Sequence, residues 1–207
     1  MVQCREYPRR EYPLSTSEIR SQLRQSSLSR RDALSSQERQ TFSHRACAHL
    51  MHVFEQRGED FSRMVFAGYW PIKSEIDPRP LFEPIVARGG ILALPVVLDS
   101  TTMVFRKFSN NTVLESMRFG TLGPGVENEV VVPNVIIVPL SAFDRQCHRL
   151  GYGGGYYDRA VDMLKKKKHQ PHLLSLAFSC QEVESIPHQE HDLILQEIFT
   201  EKGFLQS

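Results

Sequence analysis

Arg149-Leu150-Gly151-Tyr152-Gly153-Gly154-Gly155-Tyr156-Tyr157-Asp158 is the stretch on which the reading of this chain turns. Four glycines in five positions let the backbone take positive φ and approach a ligand closely. Downstream, Tyr157, Ala160, Val161 and Leu164 recur at the helical period, which predicts an α-helix. Upstream, Val135-Ile136-Ile137-Val138, closed by Pro139, reads as a buried strand. The glycines therefore fill a strand–loop–helix junction, where free N–H groups and the helix dipole attract a phosphate. Arg149 supplies a phosphate-pairing guanidinium just before the loop, and Asp158 a hard oxygen ligand for Mg2+ just after it.

Other glycine loops do not fit. No G-x-x-x-x-G-K-[ST] occurs, and the third glycine of a dinucleotide fingerprint would fall at Tyr156 or Asp158. A connection that needs only a tight turn is the bland alternative. Around this centre, strands alternate with helical segments. Met64 to Trp70, Ile91 to Val97, Met103 to Phe108, Val135 to Val138 and Leu173 to Phe178 read as strands. Ser15 with Glu18, and Ser35 with Glu38, spell capping boxes that open two helices. The fold class expected is α/β: residues 15–207 as one three-layer α/β/α domain with a largely parallel, Rossmann-like sheet, after an irregular tail at 1–14.

Several residues read as structural. Asp77 before Pro78 looks like a helix cap, Arg106 like a solvent-facing arginine, and 119–125 like a turn-rich loop. His44, His49 and His52 fall on the second helix as surface or core residues, and His188 and His191 read as exposed loop histidines. Lys165 to Lys168 complements the negative end of a helix dipole. Arg20 and Arg24 share a helix face, which on residues alone is a solvated basic stripe.

The strings "VPLSAFDRQCHR" and "LGYGGGYYDRAVDML" closely resemble the 5-formyltetrahydrofolate cyclo-ligases, also called methenyltetrahydrofolate synthetases. Weaker likeness extends from about residue 17 to about residue 200. The resemblance implies ATP- and Mg2+-dependent closure of 5-formyltetrahydrofolate to 5,10-methenyltetrahydrofolate, with ADP and phosphate released. By that likeness ATP meets Arg20, Arg24, Arg149, Leu150, Gly151, Tyr152, Gly153, Gly154, Gly155, Tyr156 and Tyr157. Arg20 stands where the family usually has Lys. The folate would meet Trp70, Glu75, Tyr152, Gly153, Gly154, Gly155 and Tyr156; core packing is an equal alternative for Trp70. Asp158 and Asp192 match the Mg2+ carboxylates, and Gln196 replaces an Asp found in many members. Many members have Lys where Gly154 stands, so the missing positive charge is expected from Arg149, the catalytic candidate.

Composition narrows the class. The formal charge of +1 argues against nucleic acid as the main partner. No apolar run reaches a membrane span, and the first residues lack the apolar core of a signal peptide. Cys4, Cys47, Cys147 and Cys180 are widely spaced, which fits reduced thiols in a cytoplasmic protein; Cys147-His148 alone is too little for zinc. The expectation is a cytoplasmic enzyme acting as a monomer, with a non-catalytic nucleotide- or folate-binding protein as the alternative.

Overall fold

A computed structural model describes residues 14–189 and 192–207. Most of the expected tail and His191 lie outside these residues. In chain order the helices are α1 (Thr16–Asp32), α2 (Ser36–Gln56), α3 (Phe82–Ala87) and α4 (Tyr156–Lys166). The strands are β1 (Val65–Ala67), β2 (Ile91–Val97), β3 (Met103–Phe108), β4 (Leu114–Ser116), β5 (Leu122–Pro124) and β6 (Val130–Val131), then β7 (Val135–Ile137), β8 (Ala142–Phe143), β9 (Arg149–Leu150), β10 (His172–Leu176), β11 (Glu197–Thr200) and β12 (Gly203–Gln206).

Eight strands form one sheet in the order β12-β11-β10-β7-β1-β2-β3-β6. The five central strands, β11 to β2, run parallel, and β12, β3 and β6 add antiparallel edges. The period-2 rule divides their side chains between two cores. Phe66, Leu92, Leu94, Val135, Ile137, Leu174 and Phe199 face α2 and α3. Ala67, Ala93, Ile136, Val138, Leu173 and Ile198 face Ala160 and Val161 of α4. Strand order reverses at β1, whose neighbours are β2 on one side and β7 on the other. The crevice beyond the carboxyl ends of β1 and β7 is therefore where an open α/β sheet places a ligand.

Both capping boxes form, at Ser15 with Glu18 and Ser35 with Glu38. Other expectations need correction. The first strand ends at Ala67, although the Gly68 N–H still reaches Ala93 O at 3.0 Å. The strand expected over 173–178 runs from His172 to Leu176. The turn-rich loop contains β5, which pairs with β4 as a hairpin. The expected cap shifts: a short 3-10 turn begins at Arg79 with Pro78 in the cap position, and Asp77, one residue before it, accepts from the Arg79 N–H at 2.9 Å. Arg106 does not face solvent freely; its guanidinium clamps the carbonyls of Val126 and Asn128 at 2.9 and 2.6 Å. The glycine loop does not follow β7 directly either, because the β8–β9 hairpin stands between them. Fully buried Asp144 shapes that hairpin by accepting from the N–H groups of Gln146, His148 and Ile186 and from the His148 ring. No helix among the described residues is long and apolar enough to cross a membrane.

At the opposite end of the sheet, fully buried Glu197 accepts from Arg57 and from His172 Nε2 at 2.9 Å. Burial alone would raise its carboxyl, but the Arg57 and His172 hydrogen bonds hold it below its ordinary value. A depressed carboxyl contributes stability that is fully present above its unfolded-state value and is lost as pH falls through the folded one. Glu197→Ala should cost about 1–3 kcal/mol at neutral pH, towards the lower end because both partner side chains are about one-third exposed. Urea denaturation between about pH 3 and pH 7 should show a shallower acid-side loss in Glu197→Gln than in the unmodified chain.

Candidate active site

Helix α1 lies across the glycine loop and meets it with a polar face. Arg20, Arg24, Ser27 and Arg31 recur at i, i+4, i+7 and i+11, so one stripe carries all four. Arg20 bonds both Asp192 carboxylate oxygens, at 2.5 and 3.1 Å, and the Pro187 carbonyl at 2.9 Å. Arg24 donates from Nε to the Gly151 carbonyl at 2.8 Å. Burial, and then neighbouring Arg20, lower its affinity for its proton. Arg31, buried at the last turn, donates to Ser74 Oγ at 3.0 Å and to the Tyr152 phenol at 2.5 Å. Arg31 belongs to the site although its role was missed in the sequence. The spacing that joins Arg20 to Arg24 continues to it.

Beneath α1, Arg149 occupies β9 with a side chain only 6% exposed and donates to Asp158 Oδ1 at 2.8 Å. Its Nε is buried without a hydrogen-bond partner, a donor that the contacts of the folded chain leave unused. Asp158 Oδ1 also accepts the Leu193 N–H at 3.2 Å, which brings the acid on α4 beside the loop that carries Asp192. Two carboxylates and two guanidiniums thus converge as two pairs. Both acids offer hard oxygens, and Mg2+ commonly takes one or two carboxylates together with phosphate oxygens and water. The donor set fits that ion once the guanidiniums turn to a phosphate.

Glu75 approaches from the loop after β1. It accepts the Ile72 N–H at 2.9 Å, with Tyr152, Tyr69, Tyr157 and Arg31 nearby. Burial raises its carboxyl above the ordinary value. Burial likewise raises the phenols of Tyr152 and Tyr157, so both remain protonated donors. Tyr152 belongs to the glycine loop, so that loop and the Glu75 loop share a wall. Trp70 is placed differently: Phe108 meets its ring edge-on at 6.2 Å and the Arg79 guanidinium covers it at 4.9 Å. Those contacts tie it to the core margin. Tyr156 packs against the α4 side of the sheet, and Leu150 is fully buried below α1 beside Leu23. His188 is exposed and meets the His148 ring edge-on at 5.0 Å.

The glycines are needed for distinct reasons. Gly153 takes φ +95° and Gly155, at the cap of α4, φ +65°. A Cβ at Gly151 would stand 2.8 Å from Arg149 Nη1. Gly151→Ala should push against the buried Arg149 guanidinium, paired with Asp158, and cost about 1–3 kcal/mol, and Gly153→Ala should cost about 1–2 kcal/mol through backbone strain. Urea denaturation of both variants checks these losses, and a several-fold activity loss in a Gly151→Ala chain that still folds would report displacement of Arg149.

Comparison with known proteins bears on the family. The profile of the 5-formyltetrahydrofolate cyclo-ligase family matches residues 16–201. A 5-formyltetrahydrofolate cyclo-ligase of Haemophilus influenzae is 30% identical over 156 residues, covering 72% of this chain and 80% of its own length. One of Escherichia coli K12 is 33% identical over 132 residues, 61% of this chain and 71% of the relative. The Aquifex aeolicus 5,10-methenyltetrahydrofolate synthetase superimposes with a TM-score of 0.74 at 32% identity, covering 91% of this chain and 92% of that one. The Mycoplasma pneumoniae synthetase, at 22% identity and a TM-score of 0.68, shares the fold. A glycine loop walled by an arginine-faced helix, inside a match that spans nearly the whole sequence, places this chain in the 5-formyltetrahydrofolate cyclo-ligase family.

Proposed function

We propose that this chain closes 5-formyltetrahydrofolate to 5,10-methenyltetrahydrofolate at the expense of ATP, by phosphorylating the formyl oxygen. The observation that carries the reading is the bridge made by Arg31, which donates to the Tyr152 hydroxyl of the glycine loop at 2.5 Å and to Ser74 Oγ, beside Glu75, at 3.0 Å. The phosphate-binding loop and the loop whose carboxylate would hold the folate share that guanidinium, so the two reactants would lie side by side.

The chemical difficulty is that a formamide oxygen is a poor leaving group. The oxygen attacks the γ-phosphorus of ATP, ADP departs, and the formyl carbon then carries a phosphate ester. The neighbouring folate nitrogen attacks that carbon, and phosphate leaves with the former formyl oxygen. No covalent bond to the protein is required, so its work is positioning and charge stabilisation. Glu75 accepts hydrogen bonds from the folate's N–H groups and fixes its orientation. Main-chain N–H groups of Gly153, Gly154 and Gly155 meet the phosphates. Arg149, aimed by its pair with Asp158, stabilises charge on the moving phosphoryl group, and Arg20 and Arg24 neutralise the rest of the chain of phosphates. Asp158 and Asp192 would hold Mg2+, which supplies charge neutralisation at the phosphate oxygens. The arginine pairs keep both carboxylates neutralised, and an incoming phosphate would draw the guanidiniums away. Helix α1 covers the loop and limits the approach of water to the activated carbon.

Mixing the protein with Mg-ATP and 5-formyltetrahydrofolate should produce the near-ultraviolet band of the methenyl product, and omission of ATP should abolish it. Binding of both ligands without the band would favour the non-catalytic alternative. Arg149→Ala should lower turnover about 10²–10³-fold with the fold retained. Glu75 gives a second test. Its raised carboxyl means that stability is lost as pH rises through the folded-state value, so ionised Glu75 destabilises the native chain at neutral pH. Glu75→Gln is therefore expected to match or exceed the unmodified chain in thermal midpoint at pH 7 while losing most folate-dependent turnover. A lower midpoint together with normal turnover would remove Glu75 from the site.

A further inference from the structure

Arg159 stands at the fourth position of α4, one turn from its N-terminus. A cation there is repelled by the positive end of the helix dipole. Its guanidinium nevertheless folds back towards that end. Nε donates to the Thr101 carbonyl at 2.9 Å, and Nη2 to the carbonyls of Gly154 at 2.9 Å and Ser100 at 3.5 Å. The guanidinium carbon lies 4.9 Å from the centre of the Tyr156 ring. Nη1 fills the space a Cβ at Gly155 would need, 2.7 Å away.

The Gly154 contact has a geometric consequence. No cis peptide occurs among the described residues, and in a planar trans peptide the C=O and the following N–H point in opposite directions. A Gly154 carbonyl held outward by Arg159 therefore turns the Gly155 N–H the other way, into the loop. Gly155 is free to follow because its φ is +65°. The Gly155 N–H has no acceptor among the described residues. Arg24 does the same at the other end of the loop: it holds the Gly151 carbonyl and so sets the direction of the Tyr152 N–H.

We infer that Arg159 is a positioning residue: by gripping the Gly154 carbonyl it aims the Gly155 N–H at a nucleotide phosphate, and it ties that aim to the Ser100–Thr101 turn beyond β2. This rests on the nucleotide reading of the glycine loop. Arg159 bonds Ser100, Thr101 and Gly154 and neither Glu75 nor Tyr152, so although the resemblance also brings the folate to Gly154, Gly155 and Tyr156, its loss should fall mainly on the nucleotide. Arg159→Met keeps a long side chain over Tyr156 and removes the donors. It should raise KM for ATP about tenfold or more and change KM for 5-formyltetrahydrofolate less than about twofold. Arg159→Lys keeps the charge but not the planar fork, and should recover only part of the loss.

An ATP KM within about twofold of the unmodified enzyme in Arg159→Met, an equal rise in both KM values, or full recovery by lysine would each overturn the inference. Glycine-selective 15N labelling of the unmodified protein provides a test that needs no variant. Addition of Mg-ADP should shift the Gly155 amide strongly, and an unmoved resonance would reject the proposed aim. Absence of any ATP-dependent turnover in the unmodified enzyme would sink the nucleotide reading itself; with that turnover present, the Arg159 outcomes judge this inference alone.

Discussion

The site depends on the seating of an arginine-striped helix on a loop of bare main chain. Burying a guanidinium is costly unless it is paired and hydrogen-bonded. α1 meets that condition along its length: Arg20 at Asp192 and Pro187, Arg24 at the Gly151 carbonyl, Arg31 at Ser74 and Tyr152. Its apolar contribution is small, with Leu23 against Ala142, Leu150 and Ile186. An apolar interface of the same size would hold the helix as well, but it would leave no cations facing the loop. The same contacts thus hold the helix in place and prepare a surface for phosphate.

Topology brings the remaining parts together. The strand order reverses between β1 and β7, so the loop after β1 and the chain leaving β7 open into one crevice. The first carries Glu75. The second passes through the β8–β9 hairpin, held by Asp144 and by the Ser141 hydroxyl on the Leu150 carbonyl, before it reaches the glycines. The hairpin raises Arg149 to the level of the crevice and leaves its side chain pressed under Gly151. Glycine at 151 is accordingly a matter of room for a guanidinium, while glycine at 153 and 155 is a matter of backbone angle.

Much of this could be read from residue types. The glycine run, the helix after it, the capping boxes and the alternating strands follow from local rules, and the parallel sheet follows from their alternation. What local rules miss are contacts between residues far apart in the chain. Arg20 meets Asp192 across 172 positions and Arg24 meets Gly151 across 127, so a basic stripe that looks solvated is in fact half-buried and paired. Arg106 was misread for the same reason, since the turn it clamps lies about twenty residues away. Two omissions did leave a local trace. Arg31 extends the helical spacing of Arg20 and Arg24, and Arg159 sets a cation where a helix dipole disfavours one. The β8–β9 hairpin left little trace, because two-residue strands are too short for a periodic pattern.

Charge pairing explains why acids and bases are interleaved around the loop. Three arginines facing one loop would repel each other, and two nearby carboxylates would do the same. Pairing Arg20 with Asp192 and Arg149 with Asp158 removes both penalties, and it leaves Arg24 on a carbonyl rather than a carboxylate. Under the proposed function, a triphosphate arriving with its cation would exchange partners: phosphate for carboxylate on each arginine, cation for arginine on each acid. Two ion pairs within the protein would give way to four with the ligand, so binding would leave none of these charges buried unpaired. The unsatisfied Nε of Arg149 is the donor this balance leaves over. That guanidinium lies beside Gly151, where a Cβ would stand 2.8 Å from Nη1, so glycine there is what leaves the pair with Asp158 undisturbed.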